Sequence, residues 1–172
     1  MYIIKKTGLK KLDMFDIEWE KADVANVGVI NWDNFPYAPK TKTQILYNDF
    51  GLWVRMQTDE KDTLARCTKQ NGPVSDDICM EFFFRLNEND PVVDKNLFDI
   101  KSFVEEGNWI IQFFVPFSYI DSVFDGHTKT MYGNFYKCGV DTKIEHYFTY
   151  APVVAEKPDF HHPESFVEFV LE

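Results

Sequence analysis

Between Ile78 and Leu86 every second residue is apolar: Ile78, Met80, Phe82, Phe84 and Leu86 share one parity, and Cys79, Glu81, Phe83 and Arg85 the other. A strand turns successive side chains to opposite faces, so this pattern predicts a β-strand with one core face and one mixed face, and it does not suit a helix. Asn108–Pro116 places Trp109, Ile111, Phe113 and Val115 on one side and Ile110, Gln112 and Phe114 on the other, which predicts a strand buried on both faces. A strand that needs cover on both sides demands layers.

The rest of the chain follows the same rule. Lys42–Asn48 and Gly51–Thr58 are β-prone runs separated by the turn formers Asn48-Asp49-Phe50-Gly51, and they predict a hairpin. Lys129–Lys137, Glu145–Tyr150 and Phe166–Leu171 supply further strands, with weaker ones near Tyr2–Lys5 and Val27–Trp32. One short helix is expected over Phe117–Phe124: it follows Pro116, offers Ser118 as N-cap, and spaces Tyr119, Ile120, Val123 and Phe124 closer to 3.6 than to 2. Many short strands, little helix and single Gly and Pro residues between them predict an all-β sandwich of immunoglobulin-like or jelly-roll type. No repeat or flexible linker interrupts residues 1–172, so a single domain is expected.

Composition narrows the partners. With 18 Lys plus Arg against 28 Asp plus Glu, the net charge of -10 repels duplex nucleic acid and an anionic membrane surface. The apolar run Tyr2-Ile3-Ile4 is too short for a signal-peptide core, so the chain as written reads as cytoplasmic, or extracellular if a leader precedes it. Cys67, Cys79 and Cys138 cannot all pair and form no Cys-x-x-Cys motif, so reduced thiols are expected.

Strand parity turns Trp53, Arg55 and Gln57 away from the core, and Glu81, Phe83 and Arg85 likewise. If these strands share a sheet, one outer face combines aromatic planes with carboxylate, amide and guanidinium groups, the mix that stacks on a sugar ring and bonds its hydroxyls. Tyr132, Asn134 and Tyr136 share one side of another strand and suit the same ligand. Catalytic readings are weaker. Cys138 with His146 lacks a nucleophile signature, and Glu81 with Asp77 or Glu145 is a carboxylate pair that chance supplies in so acidic a chain. His146, His161 and His162 match no zinc spacing and read as loop-fixing residues. Asp59, Glu60 and Asp62, and separately Asp76 and Asp77, are oxygen-rich but lack the calcium-loop pattern. No cofactor is expected beyond a structural calcium ion that these carboxylates leave open.

Asp77-Ile78-Cys79-Met80-Glu81-Phe82-Phe83-Phe84, Trp109 to Phe117, Asn134-Phe135-Tyr136-Lys137-Cys138-Gly139, Tyr150-Ala151-Pro152 and the stretch from Pro158 to Phe166 stand in a familiar order. Together they resemble the family 9 carbohydrate-binding modules, particularly the small stand-alone proteins of this type from anaerobic gut bacteria. The resemblance implies a β-sandwich, no catalysis, calcium in a structural role in some members, and a mono- or oligosaccharide ligand held between two Trp rings. It also implies that Glu81 bonds the sugar hydroxyls. Two departures stand out: Gly72-Pro73-Val74 occupies the place of one stacking Trp, and Tyr150 that of the other. The segment between Leu86 and Trp109 is short and is expected to lack the strand that supplies a sugar-bonding Arg and Asn. The expected site is therefore Tyr150 stacking, Glu81 accepting hydroxyl hydrogen bonds, and Asn134, Tyr136, Arg55 and Trp53 completing the surface. The alternative is a sandwich that has lost sugar binding and serves as an interaction module.

Overall fold

A computed structural model describes residues 1–61, 63–67, 76–92 and 98–172. Its elements in chain order are β1 (Tyr2–Lys6), β2 (Ala25–Val27), β3 (Thr41–Asn48), β4 (Gly51–Thr58), β5 (Ile78–Arg85), β6 (Phe98–Glu105), β7 (Asn108–Pro116), α1 (Phe117–Phe124), β8 (Thr130–Gly139), β9 (His146–Thr149) and β10 (Val167–Leu171).

The strands run in the order β5-β8-β10-β1-β3-β4-β7-β6, with β2 beside β3 and β9 beside β8. β1 is the seam of a β-sandwich. Its residues Tyr2–Ile4 pair in parallel with β10, while Lys5 and Lys6 pair in parallel with β3. One layer is thus β5, β8, β9, β10 and the start of β1; the other is the end of β1 with β2, β3, β4, β7 and β6. Between them lies one core, in which Phe82, Phe84, Phe135, Phe148 and Phe169 of the first layer meet Ile45, Leu52, Val54, Met56, Phe113 and Val115 of the second. These are the inward parities of their strands, and burying such large side chains contributes roughly 1.5–3 kcal/mol each.

The alternating run forms β5 and the run that is apolar on both sides forms β7, and the hairpin of β3 and β4 closes with Asn48 opposite Gly51. The helix spans the expected residues, but Pro116 rather than Ser118 holds the N-cap position, because Pro116 ends β7 in extended conformation and the helix begins at once. One expectation is overturned: β4 and β5 lie in different layers, so Trp53 and Arg55 share no face with Glu81. The segment between Leu86 and Trp109 contains a strand, β6, an antiparallel partner of β7, and its residues include no Arg or Asn.

Each layer's outer face is covered by a strap of chain held through its backbone. On the β3–β4–β7 side, Gln44 donates to the carbonyls of Trp19 and Ala22, Gln112 to that of Leu12, Arg55 to that of Met14, and Asn48 to those of Leu9 and Lys10. Leu12, Trp19 and Ala22 then pack on Leu46 and Trp53. On the β5–β8 side, Asn134 binds both the amide and the carbonyl of Ala151, Asn31 accepts from the amide of Val153, and Trp32 donates its indole N–H to Ala155. A side chain that satisfies backbone groups of a loop fixes its path at a net gain of about 1 kcal/mol per bond.

Candidate functional site

The outward parity of β5 and β8 sets Cys79, Glu81, Phe83 and Arg85 beside Cys138, Tyr136, Asn134 and Tyr132, pair by pair in register. The strap descending from Ala151 covers most of this face. Phe160 stacks on Tyr136 with ring centroids 4.5 Å apart and planes inclined by 17°, and Tyr147 of β9 meets Phe160 edge-on at 6.3 Å. At the Cys79–Glu81 end of the face the strap leaves open a pocket of about 180 Å³ walled by Glu81, Cys138, Tyr147, Asp159, Phe160 and His161, and at the other end a second cleft lies beside Arg85 and Tyr132.

The polar groups of this pocket are fixed by local bonds. Glu81 Oε1 accepts from Cys79 Sγ at 2.9 Å and lies 3.9 Å from Cys138 Sγ, and the two sulfurs are 2.7 Å apart. The bond from Cys138, burial and the negative charge of Glu81 together push the Cys79 thiol above its usual range. Asp159 accepts from the backbone N–H of His161, which holds its carboxyl below the ordinary value. Tyr147 donates to Glu145 at 2.6 Å, and burial raises both its phenol and that of Tyr136.

The expected site residues are scattered by this geometry. Glu81 lies in the pocket wall. Tyr136, with no exposed surface, is the floor under Phe160, and Asn134, equally buried, is spent on Ala151. Tyr150 turns the other way, its ring against Tyr2 and Phe135 at the core margin. Trp53 is only 3% exposed beneath the other strap, and Arg55 lies over Trp19 at 4.8 Å while bonding Met14 and Gln44. Tyr147 and Phe160, which no strand parity marks as neighbours, form the aromatic walls of the pocket. Gly72-Pro73-Val74 and Asp62 lie outside the described residues.

Several residues of the other candidate chemistries have structural partners. Cys138 faces outward to Cys79, whereas His146 Nε2 meets Lys137 Nζ at 2.8 Å, so thiol and imidazole do not meet as a nucleophile and base. Glu60 forms an ion pair with Lys137, and Asp77 accepts from the amides of Cys67 and Arg66 and from the Arg66 guanidinium. Among the described residues, no helix is long and apolar enough to cross a membrane.

The model of carbohydrate-binding family 9 matches residues 13–97 and 92–171. Three solved structures share the fold over 99% of this chain. A Bacteroides uniformis protein to which carbohydrate binding is attributed has a TM-score of 0.78 at 20% identity, with 98% of that chain covered. A family 9 module from Caldicellulosiruptor kristjanssonii in complex with cellotriose has a TM-score of 0.65 at 12% identity, with 93% covered. A family 9 module from the same organism in complex with glucose has a TM-score of 0.63 at 13% identity, with 95% covered. No curated protein sequence matches the chain.

Proposed function

The chain belongs to carbohydrate-binding family 9, and from that premise we propose that it binds a sugar, without catalysing its conversion, in the pocket between β5, β8, β9 and the 158–161 segment. The observation that carries this reading is the position of Glu81: its carboxylate lines an open pocket whose other walls include the rings of Tyr147 and Phe160. Sugar recognition needs that pairing of an acceptor that fixes hydroxyl groups with apolar ring surface that covers C–H groups. Phe160 is locked by its stack on Tyr136, so little side-chain freedom remains to be lost on binding. Asp159 and His161 stand at the mouth, where a second sugar unit of an oligosaccharide would meet them. Family membership supports binding rather than catalysis, and the two carboxylates considered as partners for Glu81 are engaged elsewhere, Asp77 with Arg66 and Glu145 with Tyr147.

The test is a calorimetric and thermal-shift titration with glucose and cello-oligosaccharides, with and without calcium. A ligand present at 100 times its Kd raises stability by about 2.7 kcal/mol, so a saturable shift is expected, reduced at least about tenfold in affinity by Glu81→Gln and unchanged by Tyr150→Phe. A panel of mono- and disaccharides that leaves the melting temperature unmoved at about 100 mM, where even a 1 mM site would be filled, overturns the reading.

A further inference from the structure

Cys79 and Cys138 are directly opposed residues on the antiparallel strands β5 and β8, and Glu81 follows Cys79 on the same face. Their donor atoms, two sulfurs and a carboxylate oxygen, all lie within 4.8 Å of one another. We propose that Cys79, Cys138 and Glu81 form a binding site for a thiophilic divalent cation, with zinc the best fit. The proposal does not depend on sugar binding.

The donor chemistry selects the ion. Thiolate sulfur favours zinc over calcium and magnesium, whose ligands are oxygens. Three protein donors leave a fourth tetrahedral position, the open arrangement seen where zinc takes a water or an added ligand. Here that position has somewhere to open: Cys138 and Glu81 wall the pocket, and His161 stands across it. Binding releases one proton from each thiol to solvent and forms two sulfur–zinc bonds and one oxygen–zinc bond. Two thiolates and a carboxylate against a dication leave a net charge of minus one. The sulfurs, now 2.7 Å apart, separate to about 3.8 Å in a tetrahedral site with bonds near 2.3 Å, a change within reach of small side-chain rotations.

Opposed cysteines also meet the reach of a disulfide. Glu81 separates the two fates: a carboxylate beside the pair disfavours the lone thiolate that disulfide exchange requires, yet becomes a third donor once a cation arrives.

The experiment is a cobalt titration of the whole protein, reduced and kept so by a phosphine, with no sugar present. One equivalent is expected to raise a thiolate-to-cobalt charge-transfer band, and zinc is expected to bleach it. Cys79→Ser and Cys138→Ser should each abolish the band and weaken zinc by more than the roughly 10- to 100-fold that loss of a merely supporting partner costs. Glu81→Gln should keep the band at lower affinity. A reduced wild-type protein that develops no such band overturns the proposal without any variant having to fold. So does a band that survives in Cys79→Ser/Cys138→Ser, which would place the metal on the remaining thiol, Cys67.

Discussion

Lys137 Nζ lies 2.5 Å from Glu60 Oε2 although neither side chain reaches solvent, at 0% and 1% exposure. His146 completes the cluster, with Nε2 at 2.8 Å from the same ammonium and Nδ1 at 2.8 Å from the carbonyl of Ile144. Gly139 makes room for that imidazole, since a Cβ there would stand 2.4 Å from its Cε1. Removing one member of a buried pair strands the other charge in a medium that cannot solvate it, at a cost of about 3–5 kcal/mol. Glu60→Gln and Lys137→Met should each lose about that much in chemical denaturation, while Glu60→Leu/Lys137→Met should cost distinctly less than either alone. A double variant that loses as much as the two single variants added together would show that the two charges are not coupled.

The same cluster sets an acid limit on stability. Burial, and then the positive charge of Lys137, hold the His146 pKa below its ordinary value of 6.5. The unfolded chain therefore takes up the proton first as pH falls. Stability is fully present above about 6.5 and declines as the pH drops from there toward the folded-state pKa. His146→Gln, which does not titrate, should flatten denaturation free energy between about pH 7 and about pH 5. A wild-type profile already flat over that range would mean that His146 is not held neutral.

Arg55, whose outward parity suits a sugar ligand, is a clamp on the strap before β2. It donates to the carbonyl of Met14 and to Gln44 Oε1, and its guanidinium covers the Trp19 ring. Hydrogen bonds from a charged donor are worth about 1.5–3 kcal/mol, so Arg55→Met should destabilise by that order and raise proteolysis near residues 12–22. Sugar affinity at the opposite layer should not change. A large loss of affinity in a folded Arg55→Met protein would return the residue to the binding surface.

Strands with a buried face were legible because burial on a pleated element forces alternation, as in Ile78–Arg85, and double burial forces a continuous apolar run, as in Asn108–Pro116. β6 was not legible. Phe98, Asp99, Ile100 and Val104 are exposed on an edge strand with a register shift between Phe98 and Lys101, and Asp99 takes a positive φ of 48°. Nothing in such a stretch marks it as a strand until β7 offers it a partner. The site shows the same division. Parity placed Glu81, Asn134 and Tyr136 on one face, a local property of each strand. Which layer Trp53 and Arg55 occupy depends on the chain crossing at β1, and which part of the face stays open depends on the path of residues 151–163, neither of which any short pattern encodes.

That path gives a way to alter binding without touching the pocket. Asn134 is fully buried, accepts from the amides of Phe135 and Ala151, and donates to the Ala151 carbonyl. It fixes the strap where it leaves β9, nine residues before Phe160 reaches Tyr136. Asn134→Ala leaves the buried amide of Ala151 without its partner, at a cost of about 1–3 kcal/mol, while the carbonyl keeps only its bond from Thr149, and frees the strap to shift. The variant should therefore melt lower and bind sugar more weakly, although residue 134 lies out of reach of any ligand. Trp32→Phe, which removes the indole donor to the Ala155 carbonyl and trims a buried ring that packs on Phe160 and Tyr147, should likewise lower stability and weaken binding. Wild-type sugar affinity in both variants would mean that the strap does not shape the site and that the wall at Phe160 is dispensable.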